Sequence, residues 1–152
     1  MRNYDIYAYK ELELYGSVIP ETEEDLLQIE QLGIDIIISL DEGIREHPNY
    51  EEMKTKFKHH ELFITDIDVP TKELIEQFLE IISKAQKEKK KVLVHCIAGC
   101  GRTGTMLTLA ERFIYGTIDG EEAIKMVRKI RPCAIETPNQ QKLILEYERP
   151  IC

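Results

Sequence analysis

Tryptophan is absent from this 152-residue chain, and cysteine, proline and glycine are scarce, with 4, 6 and 8 copies. Such low contents of proline and glycine exclude collagen-like repeats and low-complexity linkers. No apolar run approaches the ~20 residues of a membrane-spanning helix. The first residues, 1–5, also lack the apolar segment of a signal peptide. We therefore expect a cytoplasmic, globular protein without a membrane partner.

Positive charge is also in short supply, with 20 Lys and Arg against 28 Asp and Glu and a net charge of −8. General nucleic-acid binding needs a basic footprint, so we expect no nucleic-acid partner. A phosphate substrate is not excluded, because local groups set the field inside a cleft. The length favours a single domain over residues 1–152, and 43% apolar residues are enough for a core.

The cysteines Cys96, Cys100, Cys133 and Cys152 form no Cys-x2-Cys pair and no zinc-like spacing with histidine. We therefore expect no metal and no other cofactor. A cytoplasmic chain keeps its thiols reduced, so all four are expected to be free. Cys100 is close enough in sequence to trap an oxidised Cys96 as a disulfide. A filler role for Cys100 is the favoured interpretation, and a redox role for Cys100 or Cys133 stays open.

Strand and helix patterns alternate along the chain. Apolar and β-branched runs predict strands at 12–15, 34–40, 61–65 and 92–94, and periodic apolar faces predict helices at 23–32, 48–57, 72–85, 102–115, 121–130 and 138–148. Thr22 with Asp25 and Thr137 with Gln140 are typical of helix N-terminal caps. The alternation predicts an α/β fold with a mostly parallel central sheet of four to five strands, flanked by helices on both faces. Ligands of such folds bind beyond the carboxyl ends of the strands.

The main functional signal is the run 95–104, which reads His-Cys-Ile-Ala-Gly-Cys-Gly-Arg-Thr-Gly. It directly follows the predicted strand at 92–94 and opens a predicted helix. A turn of this kind directs backbone N–H groups at an anion such as phosphate. The same N–H groups and the charge of Arg102 favour a thiolate at Cys96. One loop therefore combines a nucleophile with a phosphate-binding site.

This run resembles the Cys-x5-Arg-Ser/Thr signature loop of the protein tyrosine phosphatase superfamily. The match extends to the His before the Cys, the Gly three residues after it and the closing Gly-Arg-Thr-Gly. The resemblance implies a protein tyrosine phosphatase-like fold and a metal-independent protein phosphatase with a phosphocysteine intermediate. It implies phosphorylated proteins or peptides as substrates, with phosphotyrosine and also phosphoserine or phosphothreonine accepted. Phosphate or vanadate is expected to bind in the loop.

The chemistry assigns a role to each member of the loop. Cys96 attacks phosphorus, and the planar fork of Arg102 binds two phosphoryl oxygens. Thr103 is placed to donate its hydroxyl to the Cys96 sulfur, and the resemblance implies that His95 braces the loop through hydrogen bonds. The residues expected to bind the phosphoryl group are Ile97, Ala98, Gly99, Cys100, Gly101 and Arg102.

A general acid must come from another part of the chain. Asp66 and Asp68 follow the predicted strand at 61–65, whose end is expected on the same sheet edge as Cys96. In similar small phosphatases the acid stands three residues before a Val-Pro or similar step, which favours Asp66. The alternative for either aspartate is an Asx turn or a helix cap, and for Asp68 that alternative is favoured.

A second resemblance covers 131–141, Arg-Pro-Cys-Ala-Ile-Glu-Thr-Pro-Asn-Gln-Gln. It is similar to the Arg-Pro-Gly-x-Ile/Val-Glu/Gln-Thr-x-x-Gln-Gln stretch of small atypical dual-specificity phosphatases. The resemblance implies that Glu136 and Gln140 help to place the water that hydrolyses the phosphocysteine. Gln140 also belongs to the predicted helix cap, and Cys133 replaces the usual Gly.

Other functions stay open at this point. One is a phosphoprotein-binding module with weak or no turnover, although the chain keeps both Cys96 and Asp66. Another is a phosphatase for a non-protein phosphate ester, although residues 97–101 lack the lysines typical of phosphoinositide phosphatases. A third is a rhodanese-type sulfur transferase. This function is disfavoured by His95 and by the Arg-Thr-Gly that ends the loop.

Overall fold

The fold is seen in a computed structural model that describes residues 3–150. Its strands are β1 (Ile6–Lys10), β2 (Leu14–Ser17), β3 (Ile36–Ser39), β4 (Lys58–Glu61) and β5 (Val92–His95). Its α-helices are α1 (Glu23–Gln31), α2 (Tyr50–Lys56), α3 (Lys72–Glu88), α4 (Gly101–Phe113), α5 (Gly120–Ile130) and α6 (Pro138–Glu146), with a 3₁₀ helix at Glu42–Glu46. The predictions on Cys152 and on the outermost residues of the single domain lie outside the described residues.

The strands form one sheet in the order β1-β2-β5-β3-β4. Only the β1–β2 pair among the described strands is antiparallel, and β2–β5, β5–β3 and β3–β4 are parallel. This confirms the prediction of a mostly parallel sheet. Because parallel strands end at one edge, the segments that follow β2, β3, β4 and β5 meet there, and the loop at 95–104 is among them.

Helices cover both faces of the sheet, as predicted. Alternate side chains of β3 and β5 enter different cores, so Ile37 and Leu93 face one side while Ile38 and Val94 face the other. The first core contains α1, α2 and the 3₁₀ helix, and the second contains α3, α4, α5 and α6. The second core surrounds α4, whose residues Gly101–Glu111 are all buried. The first turn of α4, which continues the loop that begins at Cys96, is therefore held on all sides.

Two strands differ from the predictions. The first, β1, was not predicted, and the strand predicted at 61–65 lies at 58–61 instead. The sequence of β4 is Lys-His-His-Glu, an edge strand without apolar alternation. The apolar signal came from Leu62 and Ile64, which are buried just beyond β4 and donate their N–H groups to the carbonyls of Ser39 (3.0 Å) and Leu40 (2.9 Å).

The prediction of free thiols is wrong for two cysteines. Cys100 and Cys133 form a disulfide, with 5.2 Å between their Cα atoms, and among the described cysteines only Cys96 is free. The segment that carries Cys133 packs directly on the start of α4, where a Cβ on Gly104 would lie 2.7 Å from that of Ala134. Sequence spacing does not reveal this approach. In this state Cys100 has a structural role as half of a disulfide, and its sulfur is not available to form a disulfide with an oxidised Cys96.

The disulfide has a testable effect on stability. It closes a chain segment with a sequence separation of 33, for which loss of unfolded-state entropy predicts about 3 to 4 kcal/mol of stabilisation. We expect reduction to lower the melting temperature by roughly 10 °C, measured by circular dichroism with and without dithiothreitol. The matched control is Cys133→Ser, which should melt at the lower temperature in both buffers. Equal melting temperatures for oxidised and reduced wild type would contradict the prediction.

Candidate active site

The centre of the site is Cys96, directly after β5 and 3% exposed. Thr103, in the first turn of α4, donates its hydroxyl to Cys96 Sγ at 3.0 Å, the contact that the sequence predicted. Gly99 takes a left-handed φ of 71°, and a Cβ there would lie 2.7 Å from the backbone of Ser17. The loop therefore turns tightly against the end of β2, which only glycine permits at that point.

The backbone carbonyls of the loop are held from outside by surrounding groups. Their donors are His95 Nδ1 for Cys96, the N–H of Ile19 for Ile97, Arg131 for Ala98, Tyr7 and Arg131 for Gly99, and the N–H of Gly104 for Cys100. In a planar trans peptide, the C=O group points away from the N–H group of the next residue. The outward carbonyls of residues 96–99 therefore leave the N–H groups of residues 97–100 directed at the interior of the loop, where an anion binds. The N–H of Gly101 is an exception, because it donates to Glu136 Oε1 at 2.9 Å.

Arg102 is buried (2% exposed) and is oriented by three segments at the strand ends. Its Nη1 lies 2.9 Å from Asp41 Oδ2 and donates to the Ile64 carbonyl at 2.7 Å, while its Nη2 lies 3.2 Å from Asp66 Oδ1. Sequence reasoning missed Asp41, which lies two residues after the end of β3. These contacts fix the orientation of the guanidinium before any substrate binds.

The two candidate acids take different environments. Asp66 reaches Arg102 while its side chain stays 68% exposed. Both aspartates accept from the N–H of the following residue, Asp66 from Ile67 at 2.9 Å and Asp68 from Val69 at 2.8 Å, so the contact with Arg102 is what distinguishes them. Between them, Ile67 adopts a left-handed φ of 60°, which is rare for a β-branched residue. The structure thus brings Asp66, rather than Asp68, to the arginine, and its role as general acid stays a prediction.

His95 belongs to a hydrogen-bonded chain that begins on β4. Its Nδ1 donates to the Cys96 carbonyl at 3.0 Å, because a carbonyl only accepts. Burial lowers the pKa of His95 to about 4, so the ring is neutral at pH 7 and its Nε2 accepts from Ser39 Oγ at 2.6 Å. Ser39 has then used its only proton, so it accepts from His59 Nε2 at 2.7 Å. Sequence reasoning predicted the bracing role of His95 but missed Ser39 and His59.

Removing the middle of this chain tests it. Ser39→Ala leaves the buried Nε2 of His95 without its donor, which costs about 1 to 3 kcal/mol of stability and loosens the loop carbonyl. We expect kcat for an aryl phosphate to fall about tenfold, because a small displacement of the nucleophile lowers the reaction rate strongly. The matched control is His60→Gln, a histidine on the same strand outside the chain of hydrogen bonds. An unchanged kcat in Ser39→Ala would show that the chain does not hold the loop.

Glu136 and Gln140 lie beside the loop, as the second resemblance implied. Glu136 Oε1 accepts from the N–H of Gly101 at 2.9 Å. Gln140 is fully buried, completes the predicted capping box with Thr137, and its Nε2 donates to the Asp68 carbonyl at 3.4 Å. Gln140 therefore connects the start of α6 with the segment that carries the candidate acid. Their roles in placing water stay predictions.

All the residues predicted for the site are brought to one end of the sheet. The described residues 3–150 contain no group of three or more His, Cys, Asp or Glu side chains that could hold a metal ion. Over the same residues, none of the helices is long and apolar enough to cross a membrane. The site is built from one cysteine, one buried arginine and carboxylates on neighbouring loops.

A parallel sheet whose central strand leads through a Cys-x5-Arg loop into a buried helix defines the protein tyrosine phosphatase fold. Comparison with known proteins agrees. The family described as "Swiss Army Knife protein, DSP-PTPase phosphatase domain" matches residues 10–144. The chain therefore belongs to this dual-specificity phosphatase family of the protein tyrosine phosphatase superfamily.

Two curated relatives are similar over part of their length. A probable protein tyrosine phosphatase type IVA B of Dictyostelium discoideum is 40% identical over 95 residues, which are 60% of this chain and 56% of that protein. The human dual specificity protein phosphatase CDC14C is 37% identical over 90 residues, which are 59% of this chain and 19% of that protein. The matched region thus spans about half of the first relative and a fifth of the second.

Solved structures match over nearly the whole chain. Tk-PTP in its active form has a TM-score of 0.79 at 28% identity, covering 97% of this chain and 98% of that one. Kinase associated phosphatase has a TM-score of 0.80 at 20% identity, covering 95% and 92%. The first supports the family and the second shows the fold.

Proposed function

We propose that this protein is a cysteine-dependent phosphatase that hydrolyses phosphomonoesters on proteins, phosphotyrosine first and phosphoserine or phosphothreonine as well. The observation that carries the proposal is the arrangement around Cys96. The sulfur is buried at the end of the central strand β5, Thr103 donates to it at 3.0 Å, and Arg102 lies in the same loop. A sulfur that precedes a helix N-terminus, in a loop that ends in a buried arginine, is suited to attack phosphorus.

In the first step, the Cys96 thiolate attacks phosphorus and the bond to the leaving oxygen breaks. Arg102 and the loop N–H groups bind the phosphoryl oxygens as charge is redistributed. Asp66 gives its proton to the leaving alcohol or phenol. The products of this step are the dephosphorylated residue and a phosphocysteine, with Asp66 left as a carboxylate.

In the second step, water attacks the phosphorus of the phosphocysteine and the sulfur leaves. Asp66 takes a proton from that water, while Glu136 and Gln140 help to place it. Thr103 stabilises the departing thiolate through the contact already present. The step releases inorganic phosphate and regenerates the free enzyme.

The charge of the site favours singly phosphorylated groups. Residues 97–101 carry no cation, Asp41 and Asp66 pair with Arg102, and the net charge of the chain is −8. A polyphosphorylated ligand would meet little additional positive charge there. Names of relatives, among them a dual specificity phosphatase, support a protein substrate. A cytoplasmic location stays a prediction.

Hydrolysis of an aryl phosphate in EDTA, with and without vanadate, tests the proposal. We expect activity that persists in EDTA and is inhibited by vanadate, because the nucleophile is a sulfur in an oxyanion site and not a metal-bound water. Phosphotyrosine and phosphoserine peptides then measure the preference between residue types. A folded, reduced sample without activity on any of these would favour the phosphoprotein-binding module. Activity restricted to a non-protein ester would show that the substrate is not a phosphoprotein.

A further inference from the structure

Arg131 lies between α5 and α6 and reaches back to the outside of the signature loop, residues 96–102. Its Nη2 donates to the Ala98 carbonyl at 2.8 Å and its Nε donates to the Gly99 carbonyl at 3.3 Å. Its Nη1 and Nη2 also bind the two carboxylate oxygens of Asp5 at 2.9 and 2.8 Å. The side chain is 15% exposed. One guanidinium thus joins the N-terminal segment to two consecutive peptides of the loop.

Tyr7 contacts both Arg131 and the signature loop. Its ring lies 4.6 Å from the Arg131 guanidinium carbon, and its hydroxyl donates to the Gly99 carbonyl at 2.9 Å. Burial raises the pKa of Tyr7 well above its ordinary value, so the hydroxyl stays protonated and donates. The ring crosses Gly16 on the neighbouring strand, where a Cβ would come within 2.4 Å of it. Glycine at that position makes room for the ring.

These contacts have a direct consequence for the phosphate-binding face. The carbonyls of Ala98 and Gly99 belong to the same peptides as the N–H groups of Gly99 and Cys100. Because each peptide is planar and trans, holding the carbonyl outward directs its N–H group inward. A cation on the carbonyl side also polarises the peptide, which strengthens the N–H group as a donor.

We propose that Arg131, held by Asp5 and Tyr7, is a positioning residue that keeps two peptides of the signature loop oriented with their N–H groups toward the phosphoryl group. The proposal deepens the proposed function and rests on it for the identity of the anion. The need for arginine follows from geometry, since two carbonyls and a carboxylate are bound by one planar fork. Lysine carries the same charge but lacks that fork.

The decisive variant is therefore Arg131→Lys. We expect kcat/KM for an aryl phosphate to fall on the order of 100-fold, the effect of a misplaced site, and inhibition by inorganic phosphate to weaken in parallel. Tyr7→Phe removes one hydrogen bond and keeps the ring, so a decrease of about two- to tenfold is expected. Tyr7→Phe also keeps the test decisive if Arg131→Lys does not fold.

A second readout does not depend on phosphatase activity. Iodoacetate and iodoacetamide alkylate the same sulfur, but only iodoacetate carries a negative charge that the loop N–H groups attract. The alkylation ratio is the rate with iodoacetate divided by the rate with iodoacetamide, measured by mass spectrometry on the peptide that contains Cys96. It reports the anion site, and changes in the reactivity of the sulfur cancel in it. We expect the ratio to fall in Arg131→Lys, which a merely structural role would not produce.

Arg112→Lys is the matched control. Arg112 also binds carbonyl oxygens, those of Ile118, Ile144 and Tyr147, but it does so at the far end of α4. We expect a loss of stability with an unchanged alkylation ratio and unchanged kcat.

The possible outcomes separate the two proposals. Unchanged kcat/KM and an unchanged alkylation ratio in Arg131→Lys would overturn the positioning role, because the charge of lysine alone would then be enough. A wild type without phosphatase activity whose alkylation ratio still falls in Arg131→Lys would refute the proposed function and leave the positioning role standing.

Discussion

Cys96→Ser is expected to abolish turnover, by a factor on the order of 10⁴ or more, as when the nucleophile of a covalent mechanism is removed. A serine hydroxyl at this point stays protonated, because nothing within the loop acts as its base. Arg102 and the loop N–H groups are untouched by the change, so binding of inorganic phosphate should survive. The substitution therefore separates chemistry from binding.

The measurement combines steady-state hydrolysis with calorimetric titration of phosphate. Acid quenching during turnover of the wild type should also leave a phosphate adduct on the peptide that contains Cys96, and Cys96→Ser should show none. Cys133→Ser, assayed in reductant, is the matched control: it makes the same chemical change outside the nucleophile and should keep turnover. Steady-state turnover by Cys96→Ser would rule out the covalent step.

Asp66→Asn is expected to lower kcat by about 10² to 10⁴, the range for loss of a general acid. The amide keeps the shape of the side chain but has no proton to transfer to the leaving oxygen. The loss should be smallest for substrates whose leaving group is a good one, since such a group departs without protonation. The dependence of kcat/KM, which reports the step in which the leaving group departs, on the leaving group should therefore become steeper in the variant.

The measurement compares a series of aryl phosphates with Asp66→Asn, and Asp68→Asn is the matched control. Asp66 pairs with Arg102 and Asp68 does not, so substitution of Asp68 should cost far less. Asp41→Asn should weaken phosphate binding, because Asp41 orients Arg102 from 2.9 Å away. A larger loss of kcat in Asp68→Asn, or a flat leaving-group dependence in Asp66→Asn, would move the acid to another residue.

Several features of the fold were predictable because they are local. The capping boxes at Thr22 and Thr137 each depend on residues three positions apart, and both are present. The parallel sheet followed from the alternation of strand and helix patterns. The contact between Thr103 and Cys96 was predictable as well, because one strand–loop–helix turn carries both residues.

Other features needed the assembled chain. The edge strand β4 is polar, so no alternation marks it, and the pairing of Cys100 with Cys133 depends on how one loop packs against α4. Ser39 and Asp41 lie at the end of β3 without any motif of their own. Each becomes part of the site only because parallel strands end at a common edge.

The sequence by itself determined the class of fold through short-range periodicity and predicted Cys96 and Arg102 as nucleophile and phosphate ligand through one contiguous motif. It predicted Asp66 through the spacing found in similar small phosphatases. The tertiary structure alone decided what orients them. Asp41 orients Arg102, His59 and Ser39 orient His95, and Arg131 and Tyr7 hold the loop carbonyls. The physical reason is that a hydrogen bond depends on distance and direction in space. The partners here come from separate strands and loops, which only the packing of the sheet and helices brings within reach.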